Sequence, residues 1–265
     1  MAEGRSFIKW AGGKTRYAAQ LVAAAPPFTG RYWEPFMGSA AVFFELRPAK
    51  AVLSDANPEL VACFQAVAAQ PEAVMERLDA MANTPEQFAL VRRQDPASLG
   101  PVERAARVIY LNKTAFRGLW RVNRRGGFNT PYGAYDRPYY RRETLLEASQ
   151  ALAGADVRLC DFAEALREAA AGDWVFLDPP YLPEGGFADF KRYTPGQFRD
   201  GDHDRLAAEM HDASRRGVLL TMTNSDTDAT RRIYEGFRAT RMATRRDINL
   251  RASARASFDL VLTNY

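Results

Sequence analysis

Short apolar runs punctuate this chain at intervals. They fall at Arg31-Tyr32-Trp33-Glu34-Pro35-Phe36, Ala51-Val52-Leu53-Ser54-Asp55, Asp156 to Phe162, Trp174-Val175-Phe176-Leu177-Asp178, Val218 to Asn224, and Phe258 to Tyr265. Several end in an acid or a breaker, which predicts strands. Between some of them the spacing turns helical, as at Ser39 to Leu46 and Asp202 to Arg216. From Pro58 to about Phe116 the helical period is uninterrupted by strands. Pro71 and Pro101 stand like first-turn prolines, and Thr84-Pro85-Glu86-Gln87 reads as a capping box. Gly, Asn, Pro and aromatic residues then dominate Gly118 to Tyr140, predicting an ordered but irregular loop region. Strands alternating with helices predict an α/β sheet covered on both faces. The helical block 58–145 interrupts that alternation and is expected to be an inserted domain, with 1–57 and 146–265 forming the other.

Composition changes this picture little. The chain has 265 residues, 47% apolar and 26% charged, which suits a soluble globular protein and excludes a disordered chain, a collagen-like repeat or a coiled coil. No run approaches the roughly 20 apolar residues of a membrane span. The first ten residues hold no apolar core of signal-peptide length, so the expected location is cytoplasmic. Cys63 and Cys160 are too few and too far apart for a disulfide framework or a zinc site and read as reduced thiols. His203 and His211 read as ordinary helix residues, and no metal is expected.

Charge is more telling. The net value is only +4, yet Asn112 to Arg142 holds eight basic residues against Asp136 alone. Arg238 to Arg255 holds six against Asp247 alone. A polyanion partner is the natural inference, nucleic acid first, with a solvated basic face as the alternative.

The most specific string is Asp178-Pro179-Pro180-Tyr181, at the C-terminal end of an apolar run. An exocyclic amine on adenine or cytosine is a poor nucleophile because its lone pair is delocalised into the ring. A carboxylate and a fixed backbone carbonyl, both accepting from that NH2, draw the nitrogen toward tetrahedral geometry. Asp178 can supply the first and Pro179 the second, with the two prolines restricting the backbone. Tyr181 can stack on a base flipped from the duplex. A strand end with a proline turn and a packing tyrosine is the bland alternative. A second site is suggested where Glu34-Pro35-Phe36-Met37-Gly38 is followed, seventeen residues after Gly38, by Asp55. A glycine there lets backbone approach a nucleoside, and an acid after the next strand accepts from ribose hydroxyls. No GxGxxG is present, which favours a mononucleoside-like cofactor without phosphates. Lys9-Trp10-Ala11-Gly12-Gly13-Lys14-Thr15 only imitates a phosphate loop, because Ile8 stands where that pattern needs glycine.

Assembled in order, these strings resemble the DNA adenine N6-methyltransferase (Dam) family almost end to end. They are Phe7 to Lys14, Glu34 to Ser39, Ser54-Asp55-Ala56-Asn57, Leu111-Asn112-Lys113 through Arg121-Val122-Asn123, Gly127 to Gly133, and Asp178 to Tyr181. The resemblance implies a Rossmann-like methyltransferase sheet with an inserted helical target-recognition domain, and S-adenosylmethionine as methyl donor. It assigns Trp10, Lys14, Glu34, Phe36, Gly38, Asp55, Asp161, Phe162 and Asp178 to the cofactor site. Lys9, Phe116, Arg117, Arg121, Asn123, Arg124, Pro131 and Tyr135 fall to the DNA interface, with Arg121 the leading guanine reader. Two departures stand out. Ala40 replaces a common second glycine, and Phe116-Arg117 replaces an aromatic-asparagine pair that wedges into the opened duplex.

The expectation is therefore a monomeric enzyme that methylates adenine N6 in double-stranded DNA, within GATC or a related GA-containing site. It leaves room for a companion restriction endonuclease. Cytosine N4 methylation, or a catalytically inactive DNA-binding regulator of the same fold, are the alternatives.

Overall fold

The structure, a computed structural model, describes residues 6–123, 126–182, 198, 200–244 and 257–265. Along the chain, α1 (Ala18–Ala23) leads into β1 (Tyr32–Glu34), α2 (Ala41–Leu46) and β2 (Ala51–Asp55). The helical block follows as α3 (Pro58–Ala69), α4 (Pro71–Asp79), α5 (Pro85–Arg93) and α6 (Pro101–Thr114). Each of these helices starts on proline, whose missing N–H costs nothing at that position. Asn57 caps α3 by accepting from the Glu59 and Leu60 amides at 3.0 and 3.3 Å. The expected box at Thr84 holds in its cap bond, Gln87 N–H to Thr84 Oγ1 at 3.2 Å, while the Thr84 amide turns to Ala82 O.

The irregular stretch from 118 to 140 is crossed by two antiparallel bridges, Ala115–Tyr132 and Val122–Phe128. It ends in α7 (Arg142–Leu152). Beyond lie β3 (Ala155–Leu159), α8 (Phe162–Glu168), β4 (Trp174–Leu177), α9 (Asp200–Arg215), β5 (Leu219–Ser225), α10 (Asp228–Ile233), β6 (Arg238–Thr244) and β7 (Ser257–Thr263).

The strands form one sheet in the order β3-β2-β1-β4-β5-β7-β6. The first five run parallel, and β7 pairs antiparallel with both β5 and β6. Alternate residues of the central strands feed opposite faces, as a period of two requires. On β4, Trp174 and Phe176 join a cluster with Leu60, Phe64, Met75, Ile109 and Leu145. Val175 and Leu177 join another with Phe162, Leu166, Leu206 and Met210. The first cluster runs without a break from the sheet into α3, α4 and α6. A polar clip sets the β1–β4 register, in which Tyr32 faces Trp174. Asp173 accepts from the Arg31 amide at 2.7 Å and from Trp33 Nε1 at 2.8 Å.

The sequence reading missed β6, where only a basic window was expected. As an edge strand it buries just Met242 and Thr244, so no apolar alternation marks it. Arg245, Arg246, Arg251 and Arg255 of that window lie outside the described residues.

Candidate active site and nucleic-acid interface

Chain order in the sheet turns outward in both directions from the β1–β4 pair. Loops leaving the carboxyl ends of two such strands part to open a crevice, where parallel sheets hold ligands. Glu34 closes β1 there, and Asp178 follows directly on β4. Lys14 Nζ lies 2.7 Å from each Asp178 oxygen and also donates to Gly12 O at 2.7 Å. Thr223, from β5, donates to Asp178 Oδ1 at 2.6 Å. Burial raises the Asp178 carboxyl above its ordinary range, against the pull of Lys14 and Thr223. Pro179 is buried, Pro180 partly so. The Tyr181 ring lies under the Lys14 ammonium, 4.9 Å from its centroid, and its hydroxyl donates to Asp259 at 2.8 Å.

On the other side of Lys14, Glu34 is almost wholly buried. Its Oε2 accepts from Tyr32 Oη at 2.8 Å and the Phe43 amide at 3.1 Å. Burial lifts this carboxyl to about 8, the two hydrogen bonds opposing and Asp178 adding to the rise. Gly38 takes φ +45°, and a Cβ there would stand 2.8 Å from the Trp10 indole, so only glycine lets these meet. Its amide donates to Asp55 Oδ2 at 3.2 Å. Burial raises Asp55 to about 6 despite that bond and those from Asn57 and Ala56. Phe36 and Phe162 stack at 5.4 Å. Asp161 caps α8 through the Ala163 amide and is gripped by both Arg205 nitrogens, at 2.6 and 3.0 Å. Next to Gly38, Ala40 holds φ +51°, a left-handed conformation that favours glycine. Its methyl is fully buried, which offsets part of the strain.

The remaining sequence-predicted residues gather around the end of α6. Asn112, fully buried, clamps Lys9: its Oδ1 accepts the Lys9 amide at 2.8 Å and its Nδ2 donates to Lys9 O at 2.7 Å. Lys9 Nζ lies 5.9 Å and the Arg137 guanidinium 5.1 Å from the Tyr135 ring centroid. Lys113 joins them, and burial plus these two cations lower it to about 8. Tyr135 Oη accepts the Arg117 amide at 2.6 Å, with Arg117 in the left-handed region at φ +56° and its guanidinium against the exposed Phe116 ring. Pro131 O accepts the Phe116 amide at 2.8 Å. Arg121 is exposed and aimed by Asn129 Oδ1 at 2.8 Å, while Asn123 Oδ1 accepts the Gly127 amide at 3.0 Å. Arg124 lies outside the described residues.

With that geometry in view, comparison with known proteins is decisive. Residues 10–248 match the family described as D12 class N6 adenine-specific DNA methyltransferase. This chain belongs to that family. It is 33% identical to a type II methyltransferase of Lactococcus lactis subsp. cremoris, covering 98% of this chain and 95% of that one. It is 32% identical to a DNA adenine methylase of Haemophilus influenzae, covering 92% and 88%. To the DNA adenine methylase of Escherichia coli it is 28% identical, covering 100% and 96%. The enzyme is thus an adenine-specific DNA methyltransferase, and the cytosine N4 alternative is set aside.

Sequence reasoning passed over several residues of the methyltransferase's crevice. Thr223 and Asp259 sit in strands, where a polar residue beside apolar ones reads as ordinary alternation. Asn112 and Lys113 stood in the motif block without roles, and nothing local marked Asn112 as a buried clamp. Among the described residues no helix is long and apolar enough to cross a membrane, and no group of three His, Cys, Asp or Glu is placed to hold a metal.

Proposed function

We propose that this enzyme transfers a methyl group from S-adenosylmethionine to N6 of an adenine flipped out of duplex DNA, within GATC or a related GA-containing site. The observation that carries this reading is Asp178, fixed at the crevice by Lys14 and Thr223 beside the Tyr181 ring. The cofactor fits the residues present. Gly38 leaves backbone bare against Trp10, and Asp55 offers a carboxylate for ribose hydroxyls. Phe36 and Phe162 supply an aromatic wall, and Asp161 stands at its edge. Glu34, held largely protonated by burial, and the Asp178–Lys14 pair leave this corner without excess positive charge, which disfavours a phosphate. When bound, the cofactor supplies a methyl group on that sulfonium, open to in-line displacement.

The chain does the rest by positioning. Asp178 and the Pro179 carbonyl each accept a hydrogen bond from one N–H of the N6 amine, aiming the nitrogen lone pair. Lys14 yields hydrogen-bonding capacity on Asp178 to the incoming base, and Thr223 keeps the carboxylate oriented meanwhile. Tyr181 stacks on the flipped ring. Asp178 polarises the amine rather than acting as a strong base, since N6 becomes acidic only as the bond forms.

On the DNA side, Lys9, Arg121, Pro131 and Tyr135 meet the target, with Asn123 beside them and Phe116 wedging into the opened stack. Arg117 lacks asparagine's paired donor and acceptor and reaches phosphate or a base edge instead. Residues 58–145 serve in this reading as the recognition unit, and 1–57 with 146–265 as the catalytic one.

The test is a base-resolved methylation map of plasmid from cells making the protein, beside Asp178→Ala. N6-methyladenine at one short motif, absent from the variant while the variant still binds DNA, is the expected result. Methylation by Asp178→Ala at the normal level would sink the mechanism.

A further inference from the structure

We propose that Asp259 is a positioning residue for Tyr181, accepting a hydrogen bond from its hydroxyl and so holding the ring where the target base stacks. The proposal rests on the reading of Tyr181 given above. Asp259 lies on β7, opposite Ser225 of β5 and Met242 of β6, and is only 7% exposed. Tyr181 Oη donates to its Oδ2 at 2.8 Å, and Thr244 Oγ1 donates to its Oδ1 at 3.3 Å. The backbone beyond the tyrosine is tied down independently by β5. Leu182 N–H donates to Asn224 Oδ1 at 3.1 Å, and Ser225 Oγ donates to Leu182 O at 2.7 Å.

Tyrosine has two rotatable side-chain bonds. Fixing its main chain at one end and its hydroxyl at the other sets the ring axis through χ1, and the phenol's preference for an in-plane O–H favours one ring plane about that axis. A buried carboxylate is expensive to desolvate, and packing alone would be served more cheaply by an apolar residue. Burial, and then the charges of Asp178 and Asp259, hold the Tyr181 phenol well above its ordinary value, so it remains a donor through the working pH range. The C-terminal hairpin of β6 and β7 thereby reaches into the catalytic tetrad without touching the reacting atoms.

A double-mutant cycle tests this, with steady-state methylation of a duplex and fluorescence of 2-aminopurine at the target position. Tyr181→Phe and Asp259→Ala should each lower kcat about tenfold, the scale of one lost hydrogen bond, and leave KM for S-adenosylmethionine within about twofold. The double variant should be no slower than either single one. Asp259→Asn keeps an acceptor and should recover most of the rate. In Asp259→Ala the 2-aminopurine signal should rise, because the flipped base loses its held stacking partner. The proposal is overturned if Asp259→Ala matches the wild type, or if it slows Tyr181→Phe by the same factor as the parent. Should Asp259→Ala fail to fold by circular dichroism, Asp259→Ser takes its place in the cycle under the same criteria. Wild-type turnover by Tyr181→Ala would instead overturn the stacking role itself, independently of Asp259.

Discussion

Buried acids dominate the site at the scale of single residues, and their cost has a sign. Glu34 sits at about 8 in the fold against an ordinary 4.5. Below pH 4.5 it is protonated in both folded and unfolded chains and costs nothing. Between 4.5 and 8 the unfolded chain ionises first, so stability falls as pH rises and levels off above 8. Glu34→Gln keeps the acceptor used by Tyr32 and Phe43. It should therefore raise the melting temperature at pH 8, reflecting on the order of a few kcal/mol, and leave it unchanged near pH 4. Equal shifts at both pH values would mean that packing, not ionisation, sets the effect. Other residues carry strain rather than charge. Arg117 occupies a left-handed position where asparagine is more at ease, so the departure noted in the sequence coincides with a backbone penalty.

Elements were legible wherever burial made their pattern plain. The strands β1, β2, β4 and β5 are covered on both faces, and apolar runs announced them, in β5 only at its start, Val218-Leu219-Leu220. The prolines opening α4, α5 and α6 were equally readable. What stayed hidden were features whose signal is long-range. Examples are the edge strand β6, and the pairing of Asn112 with Lys9 across 103 residues. That pairing ties the segment carrying Lys9 to the end of α6, with a further bond from Asn112 Nδ2 to Gly118 O at 3.3 Å. Asn112→Ala takes away the partner of the Lys9 amide and carbonyl and leaves a cavity in a fully buried place. It should cost about 1–3 kcal/mol in urea unfolding. DNA affinity should drop as Lys9 loosens, even though Asn112 itself touches no solvent. Unchanged affinity in a destabilised variant would separate the clamp from recognition. In the same way Asp178 and Lys14, far apart in sequence, were each singled out by motif. Thr223, which steadies the carboxylate, carried no mark because it is one of several small polar residues in β5, and nothing local sets it apart from Thr221.

At the scale of the whole molecule, a cluster of basic residues near the end of α6 stands out although the net charge is only +4. Among the described residues Lys9, Lys113, Arg117, Arg121 and Arg137 gather there, and burial with like charges already holds Lys113 down to about 8. With about five phosphates neutralised, raising salt from 50 to 200 mM should weaken duplex binding several hundred-fold. Filter binding or anisotropy across that range checks it, and a slope near zero would remove DNA phosphates from the reading of this face. The corner around Asp178 also links distant stretches of chain. Lys14 precedes β1 and Asp259 lies on β7, with Asp178 and Tyr181 between them in sequence. The two contacts join segments 164 and 78 residues apart. Urea should therefore dissolve this corner together with the sheet and not as a local patch, and hydrogen exchange at Leu182 and Asp259 should report a single opening.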